Sequence, residues 1–362
     1  MKMPHHRLCD WLRSVIAWTK EHGPTTYAIV GTVLILIASG ITFALLTKPL
    51  PPLDTTPIPI KPRPKPKYYA PLTGEQVKAE ADTTKPVTAI MIENSPDARP
   101  QSGLKNAEVV YEAVAEGGIT RFLALYQQHK PQLIGPVRSV RMYYVDWLTP
   151  YNASVAHIGG SYKALQVVRN GSYRDIDQFF NPDYYWRATD RYAPHNVYTS
   201  FAKLDVLNKS KGYKTSHPKV MARGDVETPK KLDATTVSVN ISGPTYNSTY
   251  SYDTKTGLYA RSQAGAPHLD REKGRITAKV VVALQVSMEQ VFEDGYRESI
   301  KTSGTGTAYV FQNGHVTKVT WRKDSRASQL SFSSADGKPF ILARGTTWIS
   351  AVPTDGGSVS WK

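Results

Sequence analysis

Titratable side chains gather in one stretch of the chain. Glu93 and Asn94 close an apolar run, Arg99 sits in a proline-bounded loop, and Glu112 and Glu116 stand four residues apart. Arg121, Arg138, Arg141, His157 and Ser161 follow, and "RYAPHN" brings His195 and Asn196. Two kinds of chemistry suit this set. Cleavage of a glycosidic bond needs two carboxyl groups about 5–10 Å apart, with groups that give and take protons. Glu93, Glu112, Glu116 and His195 are the catalytic candidates. Guanidinium, amide and hydroxyl groups hold anions instead. Asn94, Arg99, Arg121, Arg138, Arg141, His157, Ser161 and Asn196 are the candidates for ligand binding. A serine route through Ser161 with His157 or His195 is weaker, because "HIGGS" lacks the nucleophile-elbow spacing. The histidines at 157, 195, 217, 268 and 315 are scattered and Cys9 is the only cysteine. No metal motif, disulfide or cofactor is expected from that pattern.

The elements that must position these groups follow from local pattern. "PVTAIMI" is a buried strand. "AEVVYEAVAEGGITRFLALYQQ" is two strands around the turn Gly117-Gly118, with a helix over 107–116 as the alternative. In the hairpin reading Arg121 stands opposite Val114, between Glu112 and Glu116 on the same face. The two glutamates would then lie roughly 13 Å apart at their α-carbons, too far for a catalytic pair, so Glu93 must belong to any such pair. "GPVRSVRMYYVDW" reads as a helix beginning at Pro136. Arg138 and Arg141 then occupy its first two turns, where the macrodipole already disfavours cations. A bound anion, from a ligand or from Glu93, Glu112 or Glu116, reverses that sign. "ASVAHI" is a strand, Ser161 is in position to cap the next helix, and "YTSFAKLDVLNK" is a capped helix. All the polar motifs are expected to converge on one cleft. Residues 138–198 also hold 13 Phe, Tyr or Trp in 61, about twice the chain-wide 10%. Such rings build cores, or stack on sugars beside polar groups.

From Thr235 onward the chain reads as all-β, with hairpin signals at Asn313-Gly314 and Asp336-Gly337. The expected fold is a mixed α/β (α+β) domain over 84–232 and a β-rich domain over 233–362. An apolar, uncharged segment at 27–47 precedes them, about one bilayer core long. Residues 1–26 read as a cytoplasmic amphipathic segment, with Leu8, Trp11, Leu12, Val15 and Trp18 on one side. Residues 48–83 read as a proline-rich stalk. The net charge is +15, and residues 1–67 carry nine Lys/Arg against three Asp/Glu, leaving +9 on the rest. That balance suits an anionic partner. Charge counting alone does not fix the orientation of the span, although the charges nearest it favour an inside N-terminus.

"IENSPDARPQSGL", "YEAVAEGGITRFLALY", "GPVRSVRMYYVDW", "HIGGS" and "APHNVYTS", with the later "YDTKTGLYARSQAGAPHLD" and "DGKPFILARGTTWISAVP", resemble the YerB-like lipoprotein family. That family is a two-part domain of unknown function. The resemblance runs from about residue 84 to the C-terminus. With the segment at 27–47 read as a single-pass transmembrane helix in place of a lipid-bearing cysteine, the resemblance implies C-terminal domains outside the cytoplasm. It supplies no reaction. Three functions stay open: binding an anionic or polyhydroxylated cell-envelope polymer, acid–base cleavage of a wall glycan, and an envelope assembly role with protein partners. Nucleic acid does not fit an outward-facing domain.

Overall fold

The structure is a computed structural model that describes residues 5–21, 23–47, 66–293 and 295–362. The chain divides into two units, residues 1–64 and 65–362. In the first, α1 (His5–Glu21) is followed by α2 (Pro24–Leu46). α2 has 23 residues, a mean hydropathy of 2.5 and no buried position, and is long and apolar enough to cross a membrane. Its Thr32 and Thr42 hydroxyls donate to Ala28 O and Ala38 O, so these two polar side chains are satisfied within the helix. Most of the proline-rich segment, residues 48–65, lies outside the described residues. Residues 68–83, read from sequence as the end of that stalk, are already folded. Tyr68–Tyr69 pairs with Gln76–Val77, and Ala70 and Leu72 are buried. The apolar residues of "YYAPL" outweigh the proline content around them.

The second unit is built on strands β1 (Thr88–Glu93), β2 (Val109–Val114), β3 (Thr120–Tyr126), β4 (Ser154–Ala156), β5 (Arg174–Asp175), β6 (Thr236–Asn240), β7 (Ser248–Asp253), β8 (Leu258–Gln263), β9 (Val280–Val286), β10 (Met288–Phe292), β11 (Tyr296–Ile300), β12 (Gly304–Gln312), β13 (His315–Lys323), β14 (Ser331–Ser333), β15 (Thr347–Pro353) and β16 (Ser358–Trp361). Helices α3 (Met142–Leu148), α4 (Tyr162–Val168) and α5 (Phe201–Ser210) pack on them. One mixed sheet of ten strands runs β14-β13-β12-β9-β15-β2-β3-β1-β4-β5. The fold is thus mixed α/β with a largely all-β C-terminal region, as the sequence pattern implies.

The sequence divides near residue 232, but the sheet does not. β15 lies parallel to both β9 and β2, Ile349 facing Val282 on one side and Tyr111 on the other, and so joins the two segments. Every residue of β1, β2, β3 and β15 is buried, as expected of strands covered on both faces. On one face Tyr111, Leu123 and Ile349 pack against Tyr144, Trp147 and Ala164 of α3 and α4. On the other, Val110, Phe122 and Trp348 pack against Leu204 of α5 and against Val237 and Tyr250 of the second sheet. That second sheet runs β8-β7-β6-β16, with short strands added at β8. Ser200 caps α5 by accepting from Lys203 N at 3.3 Å.

Candidate functional site

The β2–β3 hairpin decides where the carboxylates go. Gly117 and Gly118 both have positive φ, +58° and +75°, which suits glycine at the two turn positions. Ile119 N donates to Glu116 O, but Ala115 N donates to Ile119 O, so two residues of one strand oppose one of the other. This is a β-bulge. It shifts the register by one, so Arg121 stands opposite Ala113 and not Val114. It also breaks the alternation between Glu112 and Glu116. The expectation that both lie on one face is corrected: Glu112 points toward Trp348 and the second sheet, whereas Glu116 points to the side of α3.

The segment before α3 also departs from expectation. Residues 136–140 are extended, not helical, because their backbone groups are taken by other chain segments. Glu93 N donates to Pro136 O, Val137 N to Val197 O, Arg138 N to Met91 O and Ile158 N to Arg138 O. Arg138 therefore precedes the helix, and Arg141 is its N-cap residue. Both arginines meet carboxylates of the protein itself, as one of the sequence alternatives had it. Glu116 is held by Arg141, by Arg121 Nη2 at 3.0 Å and by Arg297 Nη1 at 3.8 Å. Glu93 Oε1 accepts from Ser95 Oγ at 3.0 Å and from His195 Nδ1 at 2.9 Å, with Arg138 Nε at 3.5 Å. His195 Nε2 faces Asp97 at 4.0 Å. His195 also lines a pocket of roughly 510 Å³ with Asp97, Asp190, Arg191, Tyr192 and Ala193. Glu93 Oε2, Glu116 Oε2, Arg121 Nε and Arg138 Nε are buried without a hydrogen-bond partner. Burial depresses the pKa of Arg121 and of Arg138, with Glu93 opposing the shift in both.

Glu112 belongs to a separate, fully enclosed network. Arg261 Nη2 donates to both its oxygens at 3.1 and 2.8 Å, Trp348 Nε1 donates at 2.9 Å and Thr120 Oγ1 at 3.2 Å. Asn94 Nδ2 donates to Thr120 Oγ1 at 2.6 Å. Gln101 Nε2 donates to Asn94 Oδ1 and to Glu93 O, both at 3.0 Å, and Gln101 Oε1 stands 2.9 Å from His268 Nε2. Arg99 Nε donates to Asn94 Oδ1 at 3.2 Å, at the edge of this network. Burial, then the charge of Arg261, holds the His268 pKa well below the usual imidazole value. The neutral ring accepts from Arg261 at Nδ1 and donates from Nε2.

His157 lies in a third place. Its Nε2 meets Asp175 Oδ1 at 2.9 Å and its Nδ1 meets Gly159 O at 2.8 Å, while Asp177 is held by Arg169. Among the described residues this is the group whose His and Asp atoms lie close enough to share a metal ion. Their oxygens already serve the chain: Asp177 Oδ1 accepts from Phe179 N at 3.1 Å, and Asp175 Oδ1 accepts from Asp177 N at 3.1 Å. Ser161 is the N-cap residue of α4, but its hydroxyl caps nothing. Asn196 Oδ1 accepts from Arg187 at 2.8 Å, and its amide donates to Ala188 O at 3.0 Å, fixing the loop that carries His195.

The convergence expected of all these motifs is therefore partial. Glu93, Glu116, Arg121, Arg138, Arg141 and His195 come together on one side of the sheet, and Glu112 and His157 do not join them. Ser95, Arg297, Arg261 and His268 are partners that the sequence reading did not select. "DID" at 175–177 was the one visible signal for the His157 cluster.

A sheet-centred α/β unit with a buried polar ring and an arginine-rich cluster, carried behind an N-terminal apolar helix, defines the class. The N-terminal domain described as "Protein of unknown function (DUF3048)" matches residues 72–214, and the C-terminal domain of the same description matches residues 237–349. The chain belongs to this family. It is 34% identical over 301 residues to "Putative lipoprotein YerB" of Bacillus subtilis (strain 168), covering 81% of this chain and 89% of that protein. The crystal structure of YerB from Bacillus subtilis superimposes with a TM-score of 0.73 at 32% identity, over 81% of this chain and all of that one.

Proposed function

We propose that the protein is anchored by α2 with its N-terminus inside, and that its second unit binds an anionic cell-envelope ligand through the cluster around Glu93 and Glu116. One observation carries the binding reading. Arg121, Arg138, Arg141 and Arg187 surround two carboxylates, and four buried atoms of that group make no hydrogen bond: Glu116 Oε2 and Arg138 Nε stand only in ion pairs, and Glu93 Oε2 and Arg121 Nε form neither. Buried polar groups are otherwise nearly always paired. An anion that accepts from the arginines and offers a hydroxyl to Glu93 meets both needs. Acid–base cleavage of a glycan keeps one observation in its favour, the Glu93–His195 contact beside the pocket. Glu112 supports neither reading, because it is enclosed by Arg261 and Trp348.

Arg138 is the residue to test. It is about a quarter exposed and its ion pair is long, so Arg138→Ala is expected to leave the melting temperature within ~2 °C. The same change should weaken binding of anionic wall fragments at least roughly tenfold, a loss of about 1.4 kcal/mol. Lysine should not restore it if the contact is bidentate. Unchanged binding by Arg138→Ala removes the cluster from the site. The topology has its own test. Lys78→Cys, exposed near the start of the second unit, in a Cys9→Ser background should react with an impermeant thiol reagent on intact cells. Labelling only after lysis reverses the orientation.

A further inference from the structure

Exposed aromatic rings are unevenly placed on the second unit. Among its described residues eight Phe, Tyr or Trp side chains are exposed, and six of them are Tyr162, Phe179, Phe180, Tyr192, Phe292 and Tyr296. Four of them reach toward the arginine cluster through neighbouring contacts, while Tyr162 adjoins Lys163 and Phe180 lies under the Arg169 guanidinium at 4.8 Å. Tyr192 lines the His195 pocket. Phe179 packs over Gly159, whose carbonyl accepts from Val140 N beside Arg141. Phe292 and Tyr296 meet edge to face, 5.7 Å between centroids, at the end of the β10–β11 hairpin. Glu293 at that end accepts from Lys163 N at 3.0 Å, next to Tyr162, and Arg297 of the same hairpin reaches Glu116.

Large rings left in water contribute little to the fold, so a concentration of them beside one charged cluster calls for a ligand. Aromatic faces stack on the C–H faces of sugars, and guanidinium groups take carboxylates or phosphates. We infer that the rim and the cluster form one site and that its ligand is an acidic glycan, the sugar rings stacking on Phe292, Tyr296 and their neighbours while the acidic groups reach Arg138. This rests on the anion-binding reading above. Two other occupants fit less well. A flat anionic bilayer would have to lie against Glu289, Glu293 and Glu298 of the hairpin together, whereas a single glycan chain can stack on the rings and turn its acidic groups away from them, toward Arg138. Lys163 and Glu293 interrupt the rings, whereas a protein partner of this size would expect a continuous apolar patch.

The test uses the full-length protein in detergent micelles and three soluble probes: a hexameric oligogalacturonate, its methyl ester, and hexaglutamate. The oligogalacturonate is expected to bind more tightly than either control. Phe292→Ala/Tyr296→Ala should weaken it at least roughly tenfold while leaving hexaglutamate binding and the melting temperature unchanged. The glycan inference falls if the aromatic double variant binds the oligogalacturonate as the parent does. It also falls if hexaglutamate or the methyl ester binds as tightly. Arg138→Ala separates the two levels: its loss of anion binding keeps the underlying reading even when the aromatic variant changes nothing, and no effect from either variant removes both.

Discussion

Arg261→Ala should lower the stability of the second unit by about 3–5 kcal/mol, the cost of stranding a buried charge. Arg261 is wholly buried and all five of its N–H groups have acceptors. Nη2 serves Glu112, Nη1 serves Gln263 and His268, and Nε donates to the Tyr250 hydroxyl at 3.2 Å. The guanidinium also lies 4.5 Å from the centre of the Trp348 ring. Burial works against its charge, but Glu112 and Tyr250 more than compensate, and its pKa is raised. Removing it leaves Glu112 with only Thr120 and Trp348 as donors, in a place water does not reach. Lysine has three donors in place of five and no planar face, so Arg261→Lys should recover less than half of the loss. Glu112→Ala strands the opposite charge and should cost a similar amount. The double variant should therefore lose well under the sum, with a coupling of at least ~2 kcal/mol. Urea unfolding of the full-length protein in micelles measures all four. Additive losses would mean that the two groups do not depend on each other. The pair also spans the two sequence segments, β2 and β8, so the variants should unfold both together, in a single transition.

How much of this was legible in the sequence depends on how far apart the deciding residues are. The Gly117-Gly118 turn, the Asn313-Gly314 hairpin and the Ser200 cap are local, and their residue types state the conformation. The bulge at Ala115 is one residue of misalignment with no residue type of its own, yet it sends Glu112 and Glu116 to opposite faces. The extended run at 136–140 is set by carbonyls of Met91 and Val197, distant in sequence, which outcompete the local helix that Pro136 suggests. Glu112 and Arg261 are 149 positions apart, and nothing in either neighbourhood points to the other. The aromatic concentration at 138–198 was real but of two kinds. Tyr143, Tyr144, Trp147 and Tyr151 are core, whereas Tyr162, Phe179, Phe180 and Tyr192 face solvent. Composition registers the sum and not the division, because only packing decides which ring is covered.

Glu116→Ala should cost about 2–3 kcal/mol, less than the Arg261 change because the carboxylate is partly exposed. Its side chain is 24% exposed, while those of Arg121 and Arg141 are 8% and 7% exposed. The substitution removes the carboxylate these two nearly buried guanidinium groups share and leaves a gap of carboxylate size. Formate or acetate should enter it and restore part of the loss. The gain follows RT ln(1 + [L]/Kd), about 1.4 kcal/mol at ten times Kd, and should saturate. Chloride at the same ionic strength should do much less, since it cannot bridge two guanidinium groups with two oxygens. Glu116→Gln should resist rescue, because its amide fills the gap without the charge. The same variant discriminates between readings of the site. If the arginines exist to hold Glu116 and nothing else, anionic oligosaccharides should not bind the parent. If they also hold a ligand, the variant has one negative charge fewer beside Arg121 and Arg141, and its affinity should rise several-fold. Arg138→Ala moves affinity in the opposite direction. Thermal melts across an acetate series, with binding measured on the same samples, give both answers, and a melting temperature that acetate raises no more than chloride rules out a carboxylate-sized anion site.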